Sequence, residues 1–86
     1  MQSAKIQIQV LLFGACRESS GVSETVCELP SPADVAAAWA ALKAQHPSLT
    51  AYERSALFAV NEEHAQRAQA LQSGDVLAIF PPVSGG

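Results

Sequence analysis

The stretch Val76-Leu-Ala-Ile-Phe80, followed by Pro81-Pro82 and Val83-Ser-Gly-Gly86, decides how this chain is organised. Five apolar residues in a row predict a short, buried strand. The two prolines end that strand, because proline has no N–H for a sheet ladder and holds the chain that follows extended. The two glycines have no Cβ atom, so they can enter a gap that is too narrow for any side chain.

The terminal stretch has two interpretations. Most domains have a frayed terminus, but a Pro-Pro-x-x-Gly-Gly ending is rare when Pro and Gly make up only about 5% and 7% of residues. Six residues at about 3.3 Å each would let the tip reach roughly 20 Å from the domain. We therefore expect residues 1–80 to form one domain and residues 81–86 to form a flexible tail that this domain presents.

The composition is that of a compact single domain. Of the 86 residues, 49% are apolar and 15% are charged, which argues against a disordered chain. The net charge is −3 and the sequence has no cluster of Lys and Arg, which argues against nucleic-acid binding. The apolar run near the N-terminus is interrupted by Gln7 and Gln9 and does not resemble a signal peptide or a membrane span. We therefore expect no membrane partner and a cytoplasmic location.

The two cysteines and one cluster of titratable residues are the candidate sites that the side chains offer. Cys16 and Cys27 have no metal-ligand spacing, and the cytosol would keep them as thiols. Cys27 lies in a strand pattern and is predicted to be a buried structural thiol, whereas Cys16 lies in a predicted loop and is expected to be more exposed. Glu62, Glu63 and His64 are adjacent and would point in different directions, so a solvated turn over residues 61–64 is predicted and no metal site.

Hydrophobic patterns predict the order strand, strand, helix, strand, minor element, strand. Residues 5–13 and 23–29 alternate between apolar and polar side chains and predict a hairpin. The link between them, residues 14–21, is rich in small and polar residues and predicts a turn or loop. Two more strands are predicted at residues 57–60 and 76–80.

One main helix is predicted after the hairpin. Ser31 is expected as its N-cap, with Pro32 at the first helical position and Asp34 completing a capping box. The helix should run to about Gln45, and residues 48–55 should be irregular. Its apolar stripe consists of Val35, Trp39 and Leu42.

A single helix can cover only one face of the predicted sheet. The last strand and the far end of the first strand carry apolar residues on both faces, so an uncovered patch forms if these two strands are neighbours. An uncovered apolar patch usually marks a partner surface; the alternative is that the loop after the helix covers it. The predicted patch consists of Leu11, Phe13, Ala78 and Phe80.

The sequence shows no nucleophile pair, carboxylate dyad or phosphate-binding loop. The reactive group placed for access is the α-carboxylate of Gly86, which is a poor electrophile. Another enzyme must activate it, most simply by adenylation, and a sulfur nucleophile or a lysine can then take the acyl group. The chain is therefore predicted to be a substrate and carrier, with catalysis supplied by its partners.

Several pieces of the sequence match a known family. They are the opening strand into Phe13-Gly-Ala-Cys-Arg17-Glu18, the helix after the second strand, Ala59-Val60-Asn61-Glu62, and the block from Gly74 to Gly86. Through these pieces, which span essentially the whole chain, it resembles the small, sulfur-carrier subunits of molybdopterin synthase, in the ubiquitin-like β-grasp group. The resemblance implies an α+β fold, with a mixed sheet packed on one main helix and an extended C-terminal tail.

The resemblance also implies a mechanism. An adenylating enzyme would activate Gly86 with ATP, and a sulfur donor protein would convert it to a thiocarboxylate. The chain itself would hold no permanent cofactor. The tail would enter the large synthase subunit, which carries the catalytic residues, and deliver sulfur to cyclic pyranopterin monophosphate within a heterotetramer. Phe13, Arg17 and Phe80 match positions expected at the subunit contact. The inserted tail residues would be Pro81, Pro82, Val83, Ser84 and Gly85.

Three alternatives remain open. A sulfur carrier of the same group can serve thiamine thiazole synthesis or tRNA thiolation. A ubiquitin-like modifier would use the same terminus to form isopeptide bonds with lysines. An interaction domain could offer Pro81-Pro82 as a peptide ligand, although this leaves the two glycines unexplained.

Overall fold

The chain forms a five-stranded mixed sheet that packs on one main helix. The structure, a computed structural model, describes residues 4–82. The helices are α1 (Gly14–Ser20) and α2 (Val35–Gln45), and a 3₁₀ helix spans Pro47–Tyr52. The strands are β1 (Lys5–Leu12), β2 (Glu24–Pro30), β3 (Ala33–Asp34), β4 (Leu57–Val60), β5 (Glu63–Ala65), β6 (Ala70–Leu71) and β7 (Val76–Phe80).

The sheet order is β2-β1-β7-β4-β5. Strand β1 is antiparallel to β2 and parallel to β7, and β4 is antiparallel to both β7 and β5. Strands β3 and β6 form a separate small sheet. The predicted pairing of the first two strands is therefore confirmed, and the condition that the first and last strands are neighbours is met. A mixed sheet that grips one helix is the ubiquitin-like β-grasp arrangement, so the expected fold class is confirmed as well.

The core lies between the sheet and α2. The predicted stripe of α2 is confirmed, because its three members are at most 1% exposed. The Trp39 ring meets Phe58 edge-on, with centroids 5.5 Å apart. Cys27 is buried, as predicted. Burying each large apolar side chain contributes on the order of 2 kcal/mol. Val10 of β1 and Leu77 and Ile79 of its neighbour β7 complete the middle of this core.

The predicted loop at residues 14–21 is wrong, because the structure has helix α1 there. Gly21 ends the helix in a left-handed conformation, with φ of 76°, and its N–H donates to the Arg17 carbonyl. The expectation that Cys16 is exposed is also wrong, because α1 turns this side chain fully into the core. Burial raises the pKa of the Cys16 thiol. A short helix with one buried side chain has no apolar stripe, which is why its sequence resembles a loop.

The predicted N-cap of the main helix is wrong by three residues. Asp34 is the N-cap, and its Oδ1 accepts a hydrogen bond from the Ala37 N–H at 2.9 Å. Ser31 lies outside the helix because the chain stays extended through β3, which pairs with β6. The Val35 and Ala36 N–H groups donate to carbonyls of the segment before β6, so tertiary contacts satisfy this helix end.

The segment after α2 is more ordered than predicted. Residues 48–55 were expected to be irregular, but most of them belong to the 3₁₀ helix, which packs against α1 and α2 and buries Leu49 in the core. The predicted turn at residues 61–64 is shorter: Asn61 and Glu62 form it with positive φ angles of 51° and 72°. Because the 3₁₀ helix lies on the α2 side, the alternative that it covers the other face of the sheet is wrong.

In the described part of the chain, no helix has the length and apolar character needed to cross a bilayer.

Candidate functional site

The face of the sheet opposite α2 carries a continuous apolar surface. In register across three strands, Leu11 of β1 pairs with Ala78 of β7, and Ala78 pairs with Ala59 of β4. Beside this row, Phe80 pairs with Leu57. We call this surface the open face and define it by Leu11, Phe13, Leu57, Ala59, Val76, Ala78 and Phe80, each of which is half-buried or exposed.

A stacked aromatic pair forms one corner of the open face. The rings of Phe13 and Phe80 have centroids 4.8 Å apart and planes 7° from parallel. Phe13 directly follows β1, and its N–H donates to the Ile79 carbonyl at 3.1 Å, which fixes its backbone against β7. Phe13 is 40% exposed. A rigid, half-exposed aromatic pair is the kind of anchor that protein interfaces favour.

The structure brings the predicted patch together, since Leu11, Ala78, Phe13 and Phe80 are all on the open face. Arg17 is exposed on α1, and its N–H donates to the Phe13 carbonyl at 3.3 Å, so it lies one turn beyond the aromatic pair. That these five residues contact a partner stays a prediction.

The predicted patch did not include three members of the open face: Val76 of β7, and Leu57 and Ala59 of β4. Leu57 is 41% exposed. The alternation in β4 could have identified Leu57 and Ala59, because burial of Phe58 and Val60 leaves these two residues on the outer face.

The root of the tail is packed against the start of α1. A Cβ atom added to Gly14 would lie 2.9 Å from Pro81 Cγ and 3.3 Å from its Cδ, and Gly14 has a φ of 55°. Both the close approach and the backbone conformation therefore favour glycine. The predicted tail residue Pro81 is half-buried here and Pro82 is exposed. The other predicted tail residues, Val83, Ser84 and Gly85, and the predicted reactive residue Gly86 lie outside the described residues.

A group of hydrogen bonds made by Asn61 and Asp75, which we call the polar clasp, fixes the backbone at the start of β7. The Asn61 Oδ1 accepts from the Val76 N–H at 3.0 Å, and its Nδ2 donates to Asp75 Oδ1 at 3.0 Å. The other Asp75 oxygen accepts from the Gln72 N–H at 2.8 Å. The clasp helps to hold β7 in the register that places Phe80 beside Leu57. Sequence reasoning placed Asn61 in a turn and in a segment that matches the family, but it did not predict these hydrogen bonds.

A second polar cluster lies on the α2 side of the sheet. The Glu53 carboxylate accepts hydrogen bonds from Trp39 Nε1 at 3.0 Å, from Lys43 Nζ and from Arg67 Nη1 at 3.1 Å. The hydrogen bond from Lys43, with further help from Trp39 and the Arg67 charge, lowers the pKa of Glu53. The cluster therefore joins α2, which carries Trp39 and Lys43, to Glu53 after the 3₁₀ helix and to Arg67 before β6. Across residues 4–82, no three His, Cys, Asp or Glu side chains converge to hold a metal ion.

Comparisons with known proteins find relatives over nearly the whole chain. The ThiS family model matches residues 10–86. The molybdopterin synthase sulfur carrier subunit of Chlamydomonas reinhardtii is 41% identical, over 94% of this chain and 100% of that protein. The same subunit of Arabidopsis thaliana is 34% identical, over 98% and 88%.

A solved structure shows a similar fold. SAMP1 of Haloferax volcanii, a small archaeal modifier protein, superimposes with a TM-score of 0.84 and 31% identity, over 93% of this chain and 99% of that one. The family match covers most of the sequence, and two relatives above 30% identity cover nearly all of it. The chain therefore belongs to the ThiS family.

Proposed function

We propose that this chain is the sulfur carrier subunit of a molybdopterin synthase and acts in the biosynthesis of the molybdenum cofactor. One observation carries the proposal: the similarity to sulfur carrier subunits extends over nearly the whole chain, at 41% identity to the Chlamydomonas protein. We place the protein in the cytoplasm, where the activating enzyme has ATP.

The partner in this proposal is the large subunit of the synthase, in a heterotetramer of two small and two large subunits. The open face supports this role, because the Phe13–Phe80 pair offers an apolar anchor next to the packed root of the tail at Pro81. Docking there would direct residues 83–86 from a fixed point into the partner. Arg17, exposed beside the aromatic pair, would lie at the edge of the same contact.

The chemistry in this proposal takes place at Gly86. The partner enzyme lets a carboxylate oxygen attack the α-phosphorus of ATP, so pyrophosphate leaves and an acyl adenylate forms. A sulfur nucleophile at the oxidation level of sulfide, supplied by the donor protein, then displaces AMP and leaves a thiocarboxylate. In the large subunit this sulfur passes to cyclic pyranopterin monophosphate. This chain contributes an unhindered acyl group and no catalytic side chain, and ATP is a substrate of its partner.

Adding one bulky residue after Gly86 tests the proposal. The extended protein should fold normally but fail to load sulfur in a reconstituted assay that contains the activating enzyme, ATP and a sulfur donor. Intact mass reports the oxygen-to-sulfur exchange directly. The control carries the same residue before Met1 and should load sulfur like the natural chain. Normal loading of the C-terminally extended protein would contradict the proposal.

A second candidate function is that of a ubiquitin-like protein modifier. The observation that favours it is the 31% identity to SAMP1, a small archaeal modifier protein. A modifier would leave lysine-linked conjugates in cells, whereas a carrier would leave a terminal thiocarboxylate. Intact mass and peptide mapping of the protein recovered from its own cells separate these two functions. A carrier for thiazole synthesis or tRNA thiolation is distinguished by the molecule that receives the labelled sulfur.

A further inference from the structure

Two carboxylates lie on either side of Leu11 on the open face. Glu24 of β2 is directly opposite Leu11 in the ladder between β1 and β2, and its carboxylate accepts a hydrogen bond from the Gln9 side chain. Glu62, in the turn after β4, lines a shallow depression of about 320 Å³ together with Leu11 and Val76. Both glutamates are exposed. The apolar surface is therefore bordered by negative charge at two defined positions.

Neither carboxylate is neutralised within residues 4–82. The ion pairs in this part of the chain join Glu28 to Lys5 and join Glu53 to Lys43 and Arg67. Three of the chain's five basic residues are therefore already paired with other carboxylates. Any surface that docks on Leu11 and Val76 must cover or approach the carboxylates of Glu24 and Glu62.

We infer that the partner surface that docks on the open face carries two basic side chains, Lys or Arg, one facing Glu24 and one facing Glu62. The inference rests on the proposed function, because that function supplies the partner. Burying a carboxylate against an apolar or acidic surface is unfavourable, whereas a facing cation offsets the lost hydration. A second copy of this chain does not fit, because it would bring the same carboxylates and the same net charge of −3 to the contact.

The chain provides a matched control for each glutamate. Glu63 follows Glu62 directly but pairs with Val60, whose side chain is in the core, so Glu63 lies on the α2 side of the sheet. Glu28 shares β2 with Glu24 but lies opposite Gln7, away from Leu11, and pairs with Lys5 at 3.8 Å. The double variant Glu24→Lys/Glu62→Lys and the control Glu28→Lys/Glu63→Lys change the net charge equally.

The test measures binding kinetics of the full-length chain to the large molybdopterin synthase subunit of the same organism, at low and high salt. We expect the Glu24/Glu62 variant to associate on the order of tenfold more slowly than the natural chain at low salt, and the control to stay near the natural rate. At about 1 M salt, where the Debye length is about 3 Å, the difference should largely disappear. Circular dichroism confirms that both variants are folded.

Equal slowing by both double variants, or no slowing by either, overturns the inference while leaving the proposed function standing, because the natural chain still binds. A failure of the natural chain to bind the large subunit overturns the proposed function and the inference with it. Sedimentation of the free chain adds an independent check. A dimer that Phe80→Asp dissociates would show that a second copy occupies the open face, which also overturns the inference.

Discussion

The rings of Phe13 and Phe80 stack in parallel, with centroids 4.8 Å apart, although one residue follows the first strand and the other ends the last. The stack joins the start of α1 to the end of β7. The next residue, Pro81, packs against Gly14 at the same place. The aromatic pair and Pro81 are thus one structural unit, so the partner that we propose would also hold Pro81 when it binds the pair.

Phe80→Ala should weaken binding to the large subunit of the proposed complex by about 2 kcal/mol, or roughly 30-fold in Kd, because it removes one half of the aromatic pair that the proposed contact would bury. The control is Val26→Ala. Val26 is more exposed, at 56%, and lies on the edge strand β2. It should bind within about twofold of the natural chain. Titration calorimetry measures both, and an equal loss for both variants would show that the stacked pair is not the anchor.

Gly14→Ala should destabilise the domain more than Gly21→Ala. Both glycines have positive φ, so each substitution costs about 1–2 kcal/mol of backbone strain. Only Gly14 adds a clash, because its new Cβ would meet the Pro81 ring, whereas a Cβ at Gly21 has nothing within 4 Å. Overpacking of this kind adds at least about 1 kcal/mol. Urea unfolding measures the difference.

Pro81→Ala tests the origin of that difference, because it removes the ring atoms that the new Cβ would meet. In the background of Pro81→Ala, the extra cost of Gly14→Ala should vanish, which a double-mutant cycle reports as a coupling energy. If Gly14→Ala costs the same with and without the Pro81 ring, the two residues do not form a packed unit.

The sequence predicted the parts of the fold that follow from strong periodic patterns. Alternation in β1 and β2, the stripe on α2 and the apolar run of β7 each identify an element and the face that it buries. Two further steps led to the open face. One helix can cover only one face of the sheet. The residues of the first and last strands that alternate with the buried ones are then left uncovered.

The elements that were missed depend on tertiary contacts that leave little local signal. Helix α1 is held by one buried side chain, Cys16, and by Gly21 at its C-terminus. The N-cap of α2 is Asp34 and not Ser31 because β3 pairs with β6, a contact between segments far apart in sequence. The contact of Gly14 with Pro81 likewise joins segments that are far apart in sequence. Short elements and long-range contacts of this kind are not encoded in local periodicity.

Cys16 and Cys27 should be unreactive in the folded protein. Both are buried, and burial raises the pKa of each thiol, so little of the reactive thiolate is present near neutral pH. Iodoacetamide should alkylate them on the order of a hundredfold more slowly in buffer than in denaturant, because labelling requires opening of the structure. Ala44→Cys supplies an exposed thiol on α2 as the control. Mass spectrometry follows the reaction, and rapid native labelling of Cys16 would contradict its burial by α1.

Glu53→Gln should lower stability at neutral pH and have less effect in acid. The hydrogen bond from Lys43, together with Trp39 and Arg67, lowers the pKa of the Glu53 carboxyl in the folded state. A group with a lowered folded-state pKa stabilises the fold above its unfolded pKa, about 4.3 for glutamate, and loses that contribution as the pH falls through the folded value. The gap in urea midpoint between Glu53→Gln and the natural chain should therefore be widest near neutral pH and close below about pH 4.

The control is Glu28→Gln. The Glu28 carboxylate is exposed and lies 3.8 Å from Lys5, so this variant should show little gap at any pH. A gap for Glu53→Gln that stays constant into acid would mean that the cluster acts through packing and not through the charge of Glu53.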